Sequence, residues 1–211
     1  MSESAVLDAL APVGGRPMGA PEVADTSVRI MIAAADAFAE HGFSATTTRD
    51  IASRAGLSPA GVYVHFSSKE VLLFELSRRG HMRARDTLVA SAREAASPTD
   101  ALRDIIGGFS RWHADHHQLG RIVQFEFRHL SPEHRAEVLD LRKEIDTVVA
   151  DILRAGVEAG EFEVDDVRTT ALALLSMAID VARWYQPGLR RTPESIERSY
   201  GDLAVRLVRR G

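Results

Sequence analysis

The sequence predicts an all-α chain of about nine helices, with a small three-helix unit near the N-terminus and a larger helical body behind it. Three observations predict this. From Thr26 onward apolar residues recur at helical spacing, as in Ile30, Ala34, Ala37 and Phe38, which is the i, i+4, i+7, i+8 pattern of one buried face. Helix start and stop signals crowd residues 42–70. Beyond Ser97-Pro98 no segment alternates as a half-buried strand does.

Each element has its own signal. Residues 1–25 carry Pro12, Gly14, Gly15, Pro17, Gly19 and Pro21, spacing that suits neither helix nor strand, so the sequence predicts a mobile arm there. A first helix follows and stops at Gly42, after which Phe43 turns back to the core. Thr47 and Asp50 have capping-box spacing for a short second helix with Ile51, Ala52 and Ala55 inward. Gly56 ends it, and Ser58 followed by Pro59 is an N-cap with proline at the first helical position of a third. Ser67 and Glu70 have the spacing of another capping box, opening a long fourth helix through Leu72, Leu73 and Leu76. Further on, Pro98, Gly120, Pro132, Gly160 and Pro187-Gly188 divide the chain into about five more helical segments. The segment 165–186 is apolar around much of its circumference, and in 193–209 the apolar side is read as Ile196, Tyr200, Leu203, Val205 and Leu207. The expected organisation is an arm at 1–25, a helix-turn-helix unit at 26–70 and a helical domain at 71–211.

Composition narrows the function classes. The chain has 211 residues, 45% of them hydrophobic and 27% charged, with a formal net charge of −4. Residues 26–85 hold eight Lys/Arg against five Asp/Glu, so a mildly basic third sits on an acidic body, the pattern of a polyanion partner at one end only. With no cysteine, disulfides, thiolate metal sites and cysteine nucleophiles are excluded. There is no charged region followed by an apolar core at the start of the sequence, so no secretion signal is expected. The apolar run Ala171–Ile179 is far short of the ~20 residues that a membrane span needs. The expectation is a soluble, cytoplasmic protein without membrane contact. No Ser/His/Asp arrangement, phosphate loop or paired carboxylate stands out, so no catalytic residues are assigned, no cofactor is expected and the chain is not read as an enzyme.

The stretch from Thr46 to Glu70 carries the most information. It contains Thr48-Arg49, Ile51-Ala52, Ala55-Gly56-Leu57-Ser58, Tyr63-Val64-His65-Phe66 and Ser68-Lys69-Glu70 at fixed offsets. Two short helices joined by a Gly-containing turn are a helix-turn-helix. The third helix has small residues at its start, so its N-terminal end can approach a major groove closely. Tyr63 and His65 offer a hydroxyl and an imidazole suited to phosphate oxygens, Thr48 a hydroxyl and an N–H, and Lys69 lies where a helix N-terminus already favours anions. Each has a plainer reading: a packed tyrosine, a histidine closing its helix, a solvated lysine. Ile51, Ala55, Val62 and Phe66 are read as core.

This stretch resembles the DNA-binding half of tetracycline-repressor-like (TetR-family) regulators, and the resemblance covers about residues 26–80. It implies a homodimeric repressor that binds a palindromic, inverted-repeat operator in double-stranded DNA until a small molecule releases it. By that likeness Arg49, Ser58, Pro59, Ala60 and Gly61 face the DNA together with Thr48, Tyr63, His65 and Lys69; Arg49 alone among the base-facing residues has the bidentate geometry that reads guanine. Val64 departs from the pattern, since many relatives carry an aromatic or basic residue there. Arg16 in the arm is a further candidate for touching DNA. The likeness also implies that segments 165–186 and 193–209 pair with their copies in a four-helix interface, and that the fourth helix transmits effector binding to the reading heads.

Two more segments, Phe125–Glu133 and Arg183–Gly188, resemble a subgroup that responds to acyl-coenzyme A thioesters. The expected effector pocket draws on Phe109, Trp112, His113, Phe125, Arg128, Arg183 and Trp184, the arginines for phosphate or carboxylate and the aromatics for an apolar channel. Aromatic residues at helical spacing also suit an ordinary core, and Arg183 has Asp180 and Glu158 as alternative partners. His113 and His117 stand at i, i+4, a spacing that suits two imidazole ligands with Glu126 or His129 as a third; the competing readings are a pocket role and a solvated helix end before Gly120. No metal is assigned.

Overall fold

The structure is a computed structural model and describes residues 21–209, with side chains from Thr26 onward. Among these residues there are nine α-helices: α1 Pro21–Ala45, α2 Thr48–Arg54, α3 Pro59–His65, α4 Lys69–Glu94, α5 Pro98–Asp115, α6 His117–Phe125, α7 Pro132–Glu158, α8 Val167–Trp184 and α9 Pro193–Val208. A 3-10 turn, Glu126–His129, follows α6. The remaining β-type contact is an isolated bridge between Phe162 and Arg209. The chain divides into two compact units. The first holds the described residues up to Arg83 and Gln118–Leu139; the second holds Ala84–His117 and the residues from Asp140.

In the first unit, capping chemistry sets the helix ends. Thr47 and Asp50 form the full capping box at the start of α2. Ser58 Oγ accepts the Gly61 N–H at 3.1 Å, with Pro59 at the first helical position of α3. Helix α1 breaks at Gly42, whose φ of 74° and ψ of 164° lie outside the helical region and where a side chain would be strained. Buried Thr46 ties the kink together, its hydroxyl donating to the carbonyls of Ala37 (3.1 Å) and Gly42 (2.8 Å). Ile30, Met31, Ala34, Phe38, Ile51, Val62, Leu72 and Leu73 are buried. Burying each large aliphatic side chain contributes ~1.5–3 kcal/mol.

Several expectations need correcting. The arm was read as running to residue 25, but α1 begins at Pro21; proline suits a first helical turn, where its missing N–H has no intrahelical partner to lose. Arg16 and the rest of the arm to residue 20 lie outside the described residues. The cap of α4 is Ser68 rather than Ser67: Ser68 Oγ accepts the Val71 N–H at 3.1 Å. Glu70 is therefore released from capping and turns to the N–H of Ser131 (2.8 Å) and to His134 Nδ1 (2.9 Å). Gly120 does not end a helix either. It is buried within α6, and the break falls at His116, where the backbone leaves the helical region at φ −115°.

In the second unit, a core of Leu88, Leu102, Ile105, Ile106, Phe109, Val149, Leu153, Phe162, Leu174 and Leu175 joins α4, α5, α7 and α8. Helices α5 and α9 lie antiparallel and touch at their main chains. A Cβ on Gly107 would stand 2.7 Å from the Glu197 carbonyl oxygen, and one on Gly201 2.6 Å from that of Arg103. Ion pairs extend the contact at the surface, Arg111 to Glu197 (2.9 Å) and Arg103 to Asp202 (3.4 Å). Of the apolar positions expected in the last helix, Ile196 and Val205 are buried but Leu207 is 62% exposed. Ala204 and Val208 complete the buried stripe with them.

Candidate nucleic-acid interface and effector residues

The α2–α3 pair has one face in the core and one in solvent. Ile51, Ala52, Ala55 and Val62 are buried, which leaves Arg49, Pro59, Ala60, Tyr63 and Val64 on the outer side. Arg29 of α1 fixes the turn between the helices by donating to the Ala55 carbonyl at 2.7 Å. Ser58, besides capping α3, is exposed at the same end as Pro59 and Ala60. Gly61 is half-buried, its N–H held by Ser58.

Thr48 and Tyr63 converge, the phenol reaching the Thr48 hydroxyl at 3.5 Å. Tyr63 is 54% exposed, so it is not a core tyrosine. Arg49 is exposed and enters no ion pair among the described residues. Its neighbour Asp50 is occupied: the Thr47 hydroxyl and backbone hold the Asp50 carboxyl below the usual carboxylate range. Arg54 is occupied as well, at 2.6 Å from Glu40. Arg49 is thus an uncompensated guanidinium on an otherwise polar and apolar face. Val64, which departs from the sequence pattern, is 82% exposed, and an aliphatic group in that position is suited to a thymine methyl.

His65 and Lys69 sit differently from the rest. His65 neither closes its helix nor projects freely; its Nδ1 hydrogen-bonds the Ser27 hydroxyl at 3.1 Å. The Lys69 ammonium donates to the carbonyls of Phe43 (2.7 Å), Thr46 (2.8 Å) and Ser44 (3.4 Å), and stands 4.4 Å from the centre of the Phe43 ring. The sequence reading missed this. Lys69 closes the frayed end of α1, whose last carbonyls have no helical partners.

Phe43 also links the reading head to the 3-10 turn. Its N–H donates to Glu126 Oε1 at 3.2 Å, and its ring stacks on that of His129 at 4.8 Å. Glu70 and His134 make a second such tie, with the His134 ring stacked on Phe74 at 3.8 Å. These pairs span 64 and 83 residues, so no local periodicity signals them.

The expected effector residues are shared between the two units. Phe125 and Arg128 belong to the first unit and both are exposed, Arg128 donating to His129 Nε2 at 3.2 Å. Phe109, Trp112 and His113 cluster in the second unit, with the Phe109 and His113 rings edge to face at 4.4 Å. Buried His113 donates from Nδ1 to the Phe109 carbonyl at 2.8 Å, and buried His116 does the same toward Trp112 at 3.1 Å while its ring stacks on the indole. A helix end does fall here, at Asp115, but it is not solvated as expected for these histidines: His113 and His116 are buried. Among the described residues no three His, Asp or Glu side chains converge as a metal site.

Trp184 is half-buried and packs with Tyr185, Tyr200, Ala114, Val181 and Ile196. Arg183 takes the alternative foreseen for it: it is 63% exposed and bound to Asp180 at 2.6 Å. That hydrogen bond holds the Asp180 carboxyl below its usual range. Beside Trp184 is a cleft that the sequence did not signal, lined also by Leu189, Arg190, Arg191 and Tyr200. No helix among the described residues is long and apolar enough to cross a membrane.

Known proteins share both units. Residues 30–76 match the family described as bacterial regulatory proteins, tetR family, and residues 95–208 match the tetracyclin repressor-like C-terminal domain. The chain is 32% identical over 202 residues to the HTH-type transcriptional repressor KstR2 of Rhodococcus jostii, covering 89% of this chain and 96% of that one. A crystal structure of a bacterial regulatory protein in the tetR family from Rhodococcus RHA1 superposes with a TM-score of 0.83 at 37% identity, covering 88% of this chain and 98% of that one. The regulator AibR, solved with isovaleryl coenzyme A and operator DNA, has the same fold (TM-score 0.77, 22% identity, 84% and 97% coverage).

Proposed function

The chain belongs to the TetR family of bacterial regulatory proteins, and on that premise we propose that it is a homodimeric transcriptional repressor that an acyl-coenzyme A thioester releases from an inverted-repeat operator. The observation that carries the DNA reading is the uncompensated Arg49 on the exposed face of α2–α3, beside Thr48, Tyr63, Pro59 and Ala60. In this reading Arg49 reads a guanine edge, Thr48 and Tyr63 grip phosphate, and the apolar start of α3 with Val64 supplies contact to thymine methyls. His65 and Lys69 shape the head from behind. The regulator acts in the cytoplasm, where its DNA is, and turns over no substrate.

A twofold dimer sets two reading heads about one DNA turn apart. Leu172 on α8 and Leu207 on α9, 59% and 62% exposed, supply apolar surface that pairing with a second copy would bury. The effector class is supported by the AibR complex with isovaleryl coenzyme A. Release follows if the thioester binds preferentially to a conformation whose heads are wrongly spaced for the operator.

Two outcomes are expected in a mobility-shift titration on the intergenic DNA upstream of its own gene. A specific shift forms, and one acyl-coenzyme A thioester abolishes it while free coenzyme A does not; a shift that no thioester disturbs removes the effector class and leaves the repressor. Arg49→Ala weakens operator binding by ~1–3 kcal/mol and relaxes specificity at one position of each half-site. Equal affinity and unchanged base preference in that variant would remove Arg49 from the reading set.

A further inference from the structure

Helix α4 has a charged side and a closed one. On the first, Arg78 and Arg79 hold Glu75 at 3.0 and 3.2 Å. The second carries Leu73, Ser77, Gly80 and His81, all buried, and residues three and four apart are neighbours on one helix face. Ser77 is fully buried, yet its hydroxyl has no hydrogen-bond partner among the described residues. A buried hydroxyl of that kind carries a desolvation penalty that alanine would not. The Ser77 carbonyl, by contrast, is occupied: it accepts from His81 Nδ1 at 2.7 Å, which fixes the imidazole beside it.

Gly80 adds room to this face. It is buried, but a Cβ built on it would meet no atom within 4 Å. At Gly107 and Gly201 a Cβ would instead strike a carbonyl oxygen at 2.7 and 2.6 Å. Glycine lets two helices touch in those places, whereas at Gly80 it keeps an enclosed hollow open, at the cost of helix propensity. Apolar wall, one unsatisfied donor and free volume together suit a mostly apolar ligand that a single polar atom orients. A bare hydrocarbon would leave the hydroxyl unsatisfied. An anion would find neither a guanidinium nor an ammonium on this face. A carbonyl oxygen at the head of an apolar chain meets both conditions.

We propose that the hollow beside Gly80 receives the acyl group of the effector, with the Ser77 hydroxyl donating to the thioester carbonyl oxygen. The assignment rests on the acyl-coenzyme A reading above and states where on this chain the acyl end is recognised. It also gives that end a lever. Phe74, one turn before Ser77, is stacked on His134 at 3.8 Å. Gly80 lies eleven residues from Lys69, about 16 Å along α4. An acyl group wedged at Gly80 therefore bears on the helix whose first residue grips the reading head.

The test is isothermal titration of the full chain with isovaleryl-, octanoyl- and stearoyl-coenzyme A. Beside them goes the S-alkyl thioether of the chain length that binds, which keeps the chain and the coenzyme but lacks the carbonyl. The unsubstituted protein should bind the thioester ~2–10-fold more tightly than the thioether, the contribution of one hydrogen bond. In Ser77→Ala the thioester should fall to the thioether's affinity while the thioether is unchanged. The urea midpoint of that variant should not drop, because no bond within the protein is lost. Gly80→Leu should weaken thioester and thioether alike, by ~10-fold or more, as the side chain fills the hollow. Gly80→Ala, which the open space admits, should act in the same direction and serves should the leucine variant not fold. A Ser77→Ala chain that keeps the full preference for the thioester overturns the proposal, the hydroxyl then serving only an internal water. Unchanged affinities in the Gly80 variants overturn it too, and either result leaves the effector class standing. If none of the thioesters binds the unsubstituted protein, the effector reading fails and the assignment fails with it.

Discussion

Alanine at Gly107 is expected to destabilise the protein, and alanine at Gly108, one residue on, to stabilise it. Both glycines lie within α5, so each substitution gains the same helix propensity, ~0.5–1 kcal/mol. Their surroundings differ. A Cβ at Gly108 meets no atom within 4 Å, whereas at Gly107 it stands 2.7 Å from the Glu197 carbonyl oxygen of α9. That oxygen belongs to a helix backbone and cannot swing aside, so α5 and α9 must separate. Overpacking of this kind costs ~1–3 kcal/mol, and separation also strains the matching contact at Gly201. Urea midpoints at constant slope read the two signs directly. A stabilised Gly107→Ala would mean that the helices cross more loosely than the structure has them.

Lys69→Met should have the second large effect, on the first unit. Methionine keeps most of the apolar stem but removes the charge that satisfies the carbonyls of Phe43, Ser44 and Thr46 and faces the Phe43 ring. With the partly exposed carbonyls recovering some water, the expected cost is ~2–3 kcal/mol. Operator affinity should fall with it, but the dependence of binding on salt should not, because a lysine that works through the fold releases no counterion from DNA. Unaltered stability together with a salt slope reduced by about one would return Lys69 to the phosphate contacts.

How far the sequence was readable depended on the range of the interaction. Ser58 with Pro59 and Thr47 with Asp50 are local chemistry and mark the ends of α2 and α3 where the structure has them. The solvent side of those helices was readable for the same reason, once Ile51, Ala55 and Val62 were set to the core. Ser67 and Ser68 are both capable caps, and only the partner of Glu70, more than sixty residues away, decides between them. Gly120 reads as a stop from propensity alone, yet its lack of a side chain is tolerated on the buried side of α6. The histidines around the end of α5 read as a wet helix end because the packing that buries His113 and His116 is not a local property. For Arg183 the structure has the nearer of the two readable partners, Asp180. The arginines of the α8–α9 connection gave no signal, since a loop has no period that would bring them onto a common wall.

The grip of Lys69 on three carbonyls also bears on how this protein can be handled in the laboratory. The chain has twenty-four arginines but only two lysines, Lys69 and Lys143. Lys143 is 74% exposed, with Asp140 at 2.8 Å its surface partner, and keeps an accessible amine. Lys69 has all its hydrogen-bonding capacity turned inward while the reading head is folded, so an acylating reagent must wait for that head to open. Amine labelling at neutral pH should therefore mark Lys143 promptly and Lys69 only at the rate of local opening. The ratio of the two adducts in a mass spectrum becomes a built-in clock for the reading head, with and without operator DNA, and needs no engineered probe.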